Sequence, residues 1–181
     1  MTQEILIAGF GGQGVLSMGM ILAYAGMLDG KEVSWMPSYG PEMRGGTANC
    51  IVILSDEPIS SPIITSFDTV VALNQPSLDK FQTAVKEGGN LLYEKSTIIT
   101  PPTRTDVTVL QVAAAHEAEQ LKNKKIGNMI MVGAFLGLCD VVSVESVMKA
   151  LEKVLPDRYH HLIPVNREAV ERGRSLVGQP A

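Results

Sequence analysis

The chain has 181 residues, of which 45% are hydrophobic and 19% are charged, as expected for one ordinary folded domain. Fifteen Lys and Arg against nineteen Asp and Glu give a formal net charge of -4, which disfavours binding of nucleic acid or an anionic membrane. The two cysteines, Cys50 and Cys139, are too few for an iron–sulfur cluster or a four-thiolate zinc site. We therefore expect no metal site on this chain, two small buried thiols and a cytoplasmic location.

The first feature in chain order is an uncharged stretch from Ile5 to Leu28. A hydropathy scan would flag it as a membrane span or a signal peptide. A signal peptide begins with a basic segment, whereas the only charge before this stretch is Glu4, and the glycines between Gly9 and Gly14 interrupt it. We interpret it as a strand, a turn and a helix, not as a membrane segment.

Strand and helix patterns then alternate through the first two thirds of the chain. The strands are expected at 3–8, 32–36, 47–54, 68–73, 90–93 and 107–112. The helices are expected at 15–28, 77–87, 113–121, 128–139, 144–155 and 167–177. This order predicts a single α/β domain over residues 1–181, with a mostly parallel sheet, helices on both faces and a Rossmann-like start.

Ligands of such sheets bind where the carboxyl ends of the strands meet. This rule nominates one rim, made of the Gly9 to Gly14 turn, the Ser38 to Gly46 loop and Asn74-Gln75.

The glycine turn satisfies the local form of the dinucleotide fingerprint, with Gly9, Gly11 and Gly14 between a strand and a helix. NAD loses support because no acid ends the second strand, and Val15-Leu16 stands where a P-loop needs Lys and Ser or Thr. Two interpretations remain. The exposed N–H groups bind an anion such as phosphate, or the glycines only permit a tight turn.

Gln13 is unusual because a polar amide in so apolar a stretch is costly to bury without partners. We expect its side chain to point into a site or an interface. The alternative is a hydrogen bond at the start of the helix.

The loop from Pro37 to Ala48 combines prolines, glycines, an aromatic ring and opposed charges between two strands. Tyr39 offers a ring and a hydroxyl, Glu42 an acceptor, and Arg44 a planar donor suited to carboxylate or phosphate. The alternatives are a solvated pair of Glu42 with Arg44 and a flexible turn at Gly45-Gly46.

Two helices lack a polar face, namely 15–28 and 130–138. Either they pack on each other and on the sheet, or part of their surface meets another subunit.

Taken together, three motifs resemble those of a known family. They are Gly9-Phe10-Gly11-Gly12-Gln13-Gly14, then Pro37-Ser38-Tyr39-Gly40-Pro41-Glu42-Met43-Arg44-Gly45-Gly46-Thr47-Ala48, and finally Gly127-Asn128-Met129 opening an apolar helix. The sequence resembles, essentially end to end, the gamma subunit of 2-oxoacid:ferredoxin oxidoreductases of the pyruvate:ferredoxin oxidoreductase superfamily. The form of the second motif is closer to 2-oxoglutarate and 2-oxoisovalerate members than to pyruvate members, and an arylpyruvate enzyme stays open.

The resemblance implies a non-redox subunit of an EC 1.2.7 enzyme that converts a 2-oxoacid to acyl-CoA, CO2 and reduced ferredoxin. It implies thiamine diphosphate, magnesium and iron–sulfur clusters on partner alpha and beta subunits, with a delta subunit as a further candidate, and ferredoxin bound through the complex. This chain would contact coenzyme A, contribute to assembly and be inactive when isolated.

The resemblance also implies where coenzyme A is contacted. It puts Gly11, Gly12, Gln13 and Gly14 near the coenzyme A end of the active site. It puts Tyr39, Glu42, Arg44 and Gly45 on the intersubunit wall, with Arg44 as the main anion contact. Asn128 is a further contact, or else a helix cap. No residue of this chain is expected to be catalytic or to bind a metal.

Two other functions remain open. One is a stand-alone oxidoreductase of the nucleotide fold that binds NAD(P) or a flavin directly. The other is an assembly scaffold in which the glycine turn has lost its ligand.

Overall fold

A computed structural model of the chain describes residues 1–38 and 47–178. The six strands are β1 (Thr2–Phe10), β2 (Glu32–Ser38), β3 (Thr47–Ser55), β4 (Phe67–Ala72), β5 (Val85–Glu94) and β6 (Thr108–Val112). The six helices are α1 (Val15–Leu28), α2 (Gln75–Phe81), α3 (Ala114–Gln120), α4 (Gly127–Leu138), α5 (Val144–Val154) and α6 (Ile163–Ser175). Short 3-10 turns cover Gln82–Ala84, Lys124–Ile126 and Asp157–Leu162.

All six strands form one sheet in the order β2-β3-β1-β4-β5-β6. β1 pairs in parallel with β4, β4 with β5 and β5 with β6, whereas β3 runs antiparallel to both β1 and β2. Ile5 to Ala8 are all buried because β1 lies inside the sheet with both faces covered, which explains its continuous apolar run. The α/β fold with a mostly parallel sheet is confirmed.

The two faces of the sheet are covered unequally. The larger core joins one face to α1, α4, α5 and α6, through side chains such as Ile7, Leu22 and Phe135. The other face carries a smaller core in which Leu78 of α2 meets Leu6 and other strand residues. Helices therefore lie on both faces, as predicted.

Helix α4 is apolar all round because protein surrounds it. Every residue from Met129 to Leu136 is buried, and its main helical neighbour is α6. The two axes approach closely at Gly133 and Gly173. A Cβ atom on Gly133 would overlap the carbonyl oxygen of Val170, and one on Gly173 would overlap that of Ile130. The apolar character of α4 is thus explained within the chain.

Helix α1 packs mainly on α5 and on the antiparallel strands, and only slightly on α4. Its inner side is buried, but Tyr24, Met27 and Leu28 are exposed. The alternative in which the two apolar helices pack on each other and on the sheet holds only in part, because α1 and α4 touch at their first turns but each has a different main helical partner.

Two predicted helices have the wrong bounds. The predicted helix 77–87 is α2, which ends at Phe81, because Val85 already pairs with Phe67 in the sheet. Gly88, with φ of 76°, lies inside β5 at a register shift and does not end a helix. The predicted helix 167–177 begins earlier, at Ile163. Strand pairing and packing override local spacing here.

Within the described ranges, no helix has the length and apolar character needed to cross a bilayer.

The α4–α6 crossing generates a stability prediction. Gly133→Ala should lower the free energy of unfolding by roughly 2 kcal/mol, because the added methyl group meets backbone that cannot move alone. Gly127→Ala is the matched control, since its Cβ atom would lie 3.7 Å from the nearest atom, the carbonyl oxygen of Ala114. Urea unfolding followed by circular dichroism measures both, and equal midpoints would contradict the packing described for α4.

Candidate functional site

The carboxyl ends of β1, β4 and β5 meet at one edge of the sheet, and a cleft of about 510 Å³ opens there. The end of β2 at Ser38 and the start of β3 at Thr47 lie at the same edge. The cleft is lined by Gly12, Gln13, Gly14, Leu73, Glu94, Thr97, Ala114, Ala115, Lys124, Lys125, Gly127, Asn128 and Met131. The cleft opens at the nominated edge and includes the glycine turn, but Asn74 and Gln75 are not among its lining residues, and residues 39–46 of the nominated loop lie outside the described ranges.

One wall of the cleft is the glycine turn. Gly12 and Gly14 have φ values of 96° and 80°, a conformation that strongly favours glycine. A Cβ atom on Gly14 would also lie 2.7 Å from Nδ2 of Asn128, so that α1 begins in close contact with the start of α4. Among the described residues, no carbonyl accepts from the N–H groups of Gly12 or Gly14, which leaves them able to donate to a ligand.

Gln13 braces this turn. Its Oε1 accepts from the N–H of Phe10 at 2.7 Å, and its Nε2 donates to the carbonyl of Leu73 at 2.9 Å. Both hydrogen-bonding atoms of the amide are therefore partnered within the chain, although the residue also lines the cleft. The amide joins β1 to the end of β4, and these two bonds leave its second N–H and the second lone pair of Oε1 unused.

The opposite wall follows β5. Thr97 Oγ1 donates to the carbonyl oxygen of Leu73 at 2.7 Å. The same oxygen also accepts the hydrogen bond from Nε2 of Gln13. Glu94 is only 6% exposed, and its carboxylate accepts from the N–H and the hydroxyl of Ser96 and from the N–H of Ala115. These bonds tie the end of β5 to the start of α3 and offset the cost of burying the charge.

Two lysines bring positive charge to the cleft. Lys124 and Lys125 lie on the 3-10 turn that precedes α4. Nζ of Lys124 is 3.1 Å from a carboxylate oxygen of Glu119 at an exposed position, where water screens the pair. The ammonium group of Lys125 forms no ion pair with any residue in the described ranges, so it can approach an anionic ligand.

The predicted site residues fall into three groups. Gly12, Gln13, Gly14 and Asn128 line the cleft, whereas Gly11 is exposed beside it and is not among the lining residues. Tyr39, Glu42, Arg44 and Gly45 lie outside the described residues. Asn128 is not at the N-cap position of α4, which is Ile126, but its Oδ1 accepts from the N–H of Met129 in the first turn at 3.0 Å, so its side chain does serve the start of the helix.

Sequence reasoning missed Glu94, Thr97, Lys124 and Lys125. The first two follow a strand that was predicted, so the rule for carboxyl strand ends could have nominated them. The two lysines immediately precede the Gly127-Asn128 motif, but only the approach of α4 to the glycine turn brings them to the cleft.

Neither cysteine belongs to the cleft. Burial raises the pKa of the Cys50 thiol to about 12, and burial also raises the pKa of Cys139. Both thiols are buried, as predicted, and stay protonated near neutral pH. In the part of the chain that the structure describes, no group of three or more His, Cys, Asp or Glu could hold a metal ion.

The Gln13 bridge generates a prediction. Gln13→Ala should lower the free energy of unfolding by roughly 2 kcal/mol, because it removes two hydrogen bonds and leaves the Phe10 N–H without its acceptor. The matched control is Gln120→Ala, at an exposed position near the end of α3. Chemical denaturation gives both values. A Gln13→Ala protein as stable as the control would show that the amide does not brace the turn.

Comparisons with known proteins bear on this site. The profile of the Pyruvate ferredoxin/flavodoxin oxidoreductase family matches residues 4–176. The chain is 39% identical over 159 residues to "2-oxoglutarate synthase subunit KorC" of Methanocaldococcus jannaschii, covering 86% of this chain and 85% of that protein. It is also 39% identical over 171 residues to "Ketoisovalerate oxidoreductase subunit VorA" of Methanothermobacter thermautotrophicus, covering 94% of this chain. The chain spans only 35% of that longer relative.

Solved structures share the fold. The keto/oxoacid ferredoxin oxidoreductase gamma subunit from Geobacter sulfurreducens has a TM-score of 0.82 and 32% identity, covering 97% of this chain and 95% of that chain. A 2-oxoglutarate:ferredoxin oxidoreductase from Magnetococcus marinus, solved with 2-oxoglutarate, coenzyme A and succinyl-CoA, has a TM-score of 0.89. At 24% identity, and with 99% of this chain matching 32% of that one, it shows the same fold.

The resemblance to gamma subunits of 2-oxoacid:ferredoxin oxidoreductases is confirmed by these matches. None of the named relatives is a stand-alone NAD(P) or flavin oxidoreductase, so that alternative is not supported. Because the family profile covers nearly the whole chain, this protein belongs to the pyruvate ferredoxin/flavodoxin oxidoreductase family.

Proposed function

We propose that the chain is the non-redox gamma subunit of a multi-subunit 2-oxoacid:ferredoxin oxidoreductase. The complete enzyme oxidatively decarboxylates a 2-oxoacid and transfers the acyl group to coenzyme A, while two electrons pass to ferredoxin. The observation that carries the proposal is the cleft at the glycine turn, which combines unpartnered N–H groups with two lysines in a chain of this family.

This chain's contribution is to hold coenzyme A, whose phosphates suit such a cleft. The N–H groups of Gly12 and Gly14 and the ammonium groups of Lys124 and Lys125 bind phosphate oxygens. Glu94 cannot bind phosphate, because like charges repel, but its carboxylate can accept from a hydroxyl or an N–H group of the ligand. We place Tyr39, Glu42, Arg44 and Gly45 on the intersubunit wall of the same site.

A 2-oxoglutarate or branched-chain substrate is favoured by the relatives. Proteins named for 2-oxoglutarate and ketoisovalerate reach 39% identity, whereas a "Pyruvate synthase subunit PorC" of Methanothermobacter marburgensis reaches 30%. We place the pocket for the 2-oxoacid on the other subunits.

The redox cofactors belong to partner subunits in this proposal. Cys50 and Cys139 are buried thiols at separate places and do not fit the ligation of an iron–sulfur cluster, which needs several thiolates. Thiamine diphosphate, magnesium and the clusters are therefore assigned to alpha and beta subunits, or to a delta subunit, and ferredoxin docks on the complex. A cytoplasmic location remains the expectation that the two free thiols support.

Reconstitution tests the proposal. The chain co-expressed with alpha and beta subunits of a 2-oxoacid:ferredoxin oxidoreductase from the same organism should co-purify with them and support coenzyme A-dependent reduction of ferredoxin by 2-oxoglutarate or 2-oxoisovalerate. The isolated chain should be inactive. A native chain that runs alone on sizing columns and never carries these partners would overturn the proposal.

The two cleft lysines give a residue-level prediction. In the reconstituted enzyme, the double variant Lys124→Ala with Lys125→Ala should raise the KM for coenzyme A about tenfold, through loss of charge-assisted contacts to phosphate. The KM for the 2-oxoacid should not change, because that pocket lies on other subunits. Lys153→Ala, at an exposed position on α5, is the control. Unchanged coenzyme A kinetics in the double variant would favour a pure assembly scaffold.

A further inference from the structure

Glu94 is the only charged residue that is buried among the described residues. Other acids that are partly buried have a cation beside them: Glu117 pairs with Arg172 at 2.6 Å, and Asp68 pairs with Lys86 at 2.7 Å. Within the described ranges, no lysine, arginine or histidine forms an ion pair with Glu94. A buried charge is costly without a cation, and such departures from the usual rules concentrate at functional sites.

The protein does not use the whole acceptor capacity of this carboxylate. Oε1 of Glu94 accepts from the hydroxyl of Ser96 at 3.1 Å and from the N–H of Ala115 at 3.4 Å. Oε2 accepts from the N–H of Ser96 at 3.0 Å. A carboxylate has about four acceptor positions, so Oε2 keeps one that is unused. Because Glu94 lines the cleft, a ligand bound there can supply the missing donor.

The bonds to Ser96 and Ala115 do not by themselves account for the charge. A neutral acceptor would also tie the end of β5 to the start of α3, at a lower cost of burial. A carboxylate is the stronger acceptor, because a hydrogen bond to an ionised group is roughly twice as strong as one between neutral groups. The charge at Glu94 is therefore explained by a ligand donor in the cleft.

The sheet topology indicates which kind of donor this is. Dinucleotide-binding folds place an acid at the end of the strand that follows the glycine turn and its helix, where it accepts from a ribose hydroxyl. Here that strand is β2, and β3 separates it from β1. The parallel strands on the other side of β1 are β4 and then β5, which ends at Glu94. Neighbouring strands lie about 4.8 Å apart, so the ends of β1 and β5 are roughly 10 Å apart.

The positive groups of the cleft indicate which part of coenzyme A lies beside Glu94. Lys124, Lys125 and the N–H groups of Gly12 and Gly14 line the same cleft of about 510 Å³ and bind phosphates in the proposed function. The donor of coenzyme A that is closest to a phosphate through bonds is the ribose 2′-hydroxyl, on the carbon beside the one that carries the 3′-phosphate. The thiol lies at the far end of the pantetheine arm, and the adenine amino group lies on the outer edge of the base.

We infer that Glu94 recognises the ribose of coenzyme A by accepting a hydrogen bond from its 2′-hydroxyl. The carboxylate also excludes phosphate from the β5 side of the cleft, because like charges repel, and so fixes the orientation of the coenzyme. Glu94 transfers no proton or electron in this role. The inference rests on the proposed function and adds to it a residue that determines coenzyme specificity.

The test compares coenzyme A with 2′-deoxy-coenzyme A in the reconstituted complex. With the unsubstituted chain, the KM should be about tenfold higher for 2′-deoxy-coenzyme A, because the carboxylate then lacks its donor. Glu94→Gln should raise the KM for coenzyme A about tenfold, because the one amide oxygen is taken by Ser96 and Ala115. In this variant the two KM values should agree within about twofold, and kcat at saturating coenzyme should be unchanged.

Two further variants make the test specific. Glu152→Gln, at an exposed position on α5, is the matched control and should keep the tenfold ratio between the two KM values. Glu94→Asp keeps the charge but withdraws the carboxylate by one methylene group, and it should lose the ratio. It decides the test if Glu94→Gln does not assemble. A purely structural role of Glu94 would raise the KM for both coenzymes equally and leave their ratio unchanged.

The outcomes separate this inference from the proposed function. If the unsubstituted complex depends on coenzyme A but has equal KM values for both coenzymes, the inference is overturned and the proposed function stands. The same conclusion follows if the tenfold ratio persists in the Glu94 variants, or if they lose discrimination only against a deaminated coenzyme that lacks the adenine amino group. If the complex requires neither this chain nor coenzyme A, the proposed function fails and this inference fails with it.

Discussion

The carbonyl oxygen of Leu73 is the point on which the site depends. It accepts from Nε2 of Gln13 at 2.9 Å and from the hydroxyl of Thr97 at 2.7 Å, while the N–H of Leu73 donates to Ala8 at 2.8 Å. These bonds join the ends of three neighbouring parallel strands, β1, β4 and β5. Two side chains, one from the glycine turn and one from the segment after β5, therefore meet at a single backbone carbonyl, which fixes the spacing of the two cleft walls.

The charges of the cleft come from the elements that these bonds hold together. The glycine turn supplies N–H groups, the 3-10 turn before α4 supplies Lys124 and Lys125, and β5 supplies a buried carboxylate at Glu94. Groups of opposite sign in one cavity can orient a ligand that has both phosphates and hydrogen-bond donors. This suits a subunit that binds and positions a coenzyme while redox chemistry takes place on other subunits.

The two apolar helices have the same kind of sequence but lie in different surroundings. Helix α4 is enclosed by α3, α6 and the sheet, and the Gly133 to Gly173 contact explains its small residues. Helix α1 is enclosed on its inner side only, with Tyr24 and Met27 exposed. Composition cannot separate these cases, because an apolar helix has the same hydrophobicity whether its neighbours come from one chain or two.

The sequence by itself predicted the fold class, the positions of all six strands and helix α1 to the residue, and it named Gly12, Gln13, Gly14 and Asn128, which line the cleft. It could do so because strand and helix periodicity and glycine turns are local properties of the chain. Only the tertiary structure decided that Gln13 braces the turn, that β5 begins at Val85, and that Lys124, Lys125 and Glu94 reach the cleft. Those facts depend on strand pairing and helix packing between residues far apart in sequence, which no local pattern records.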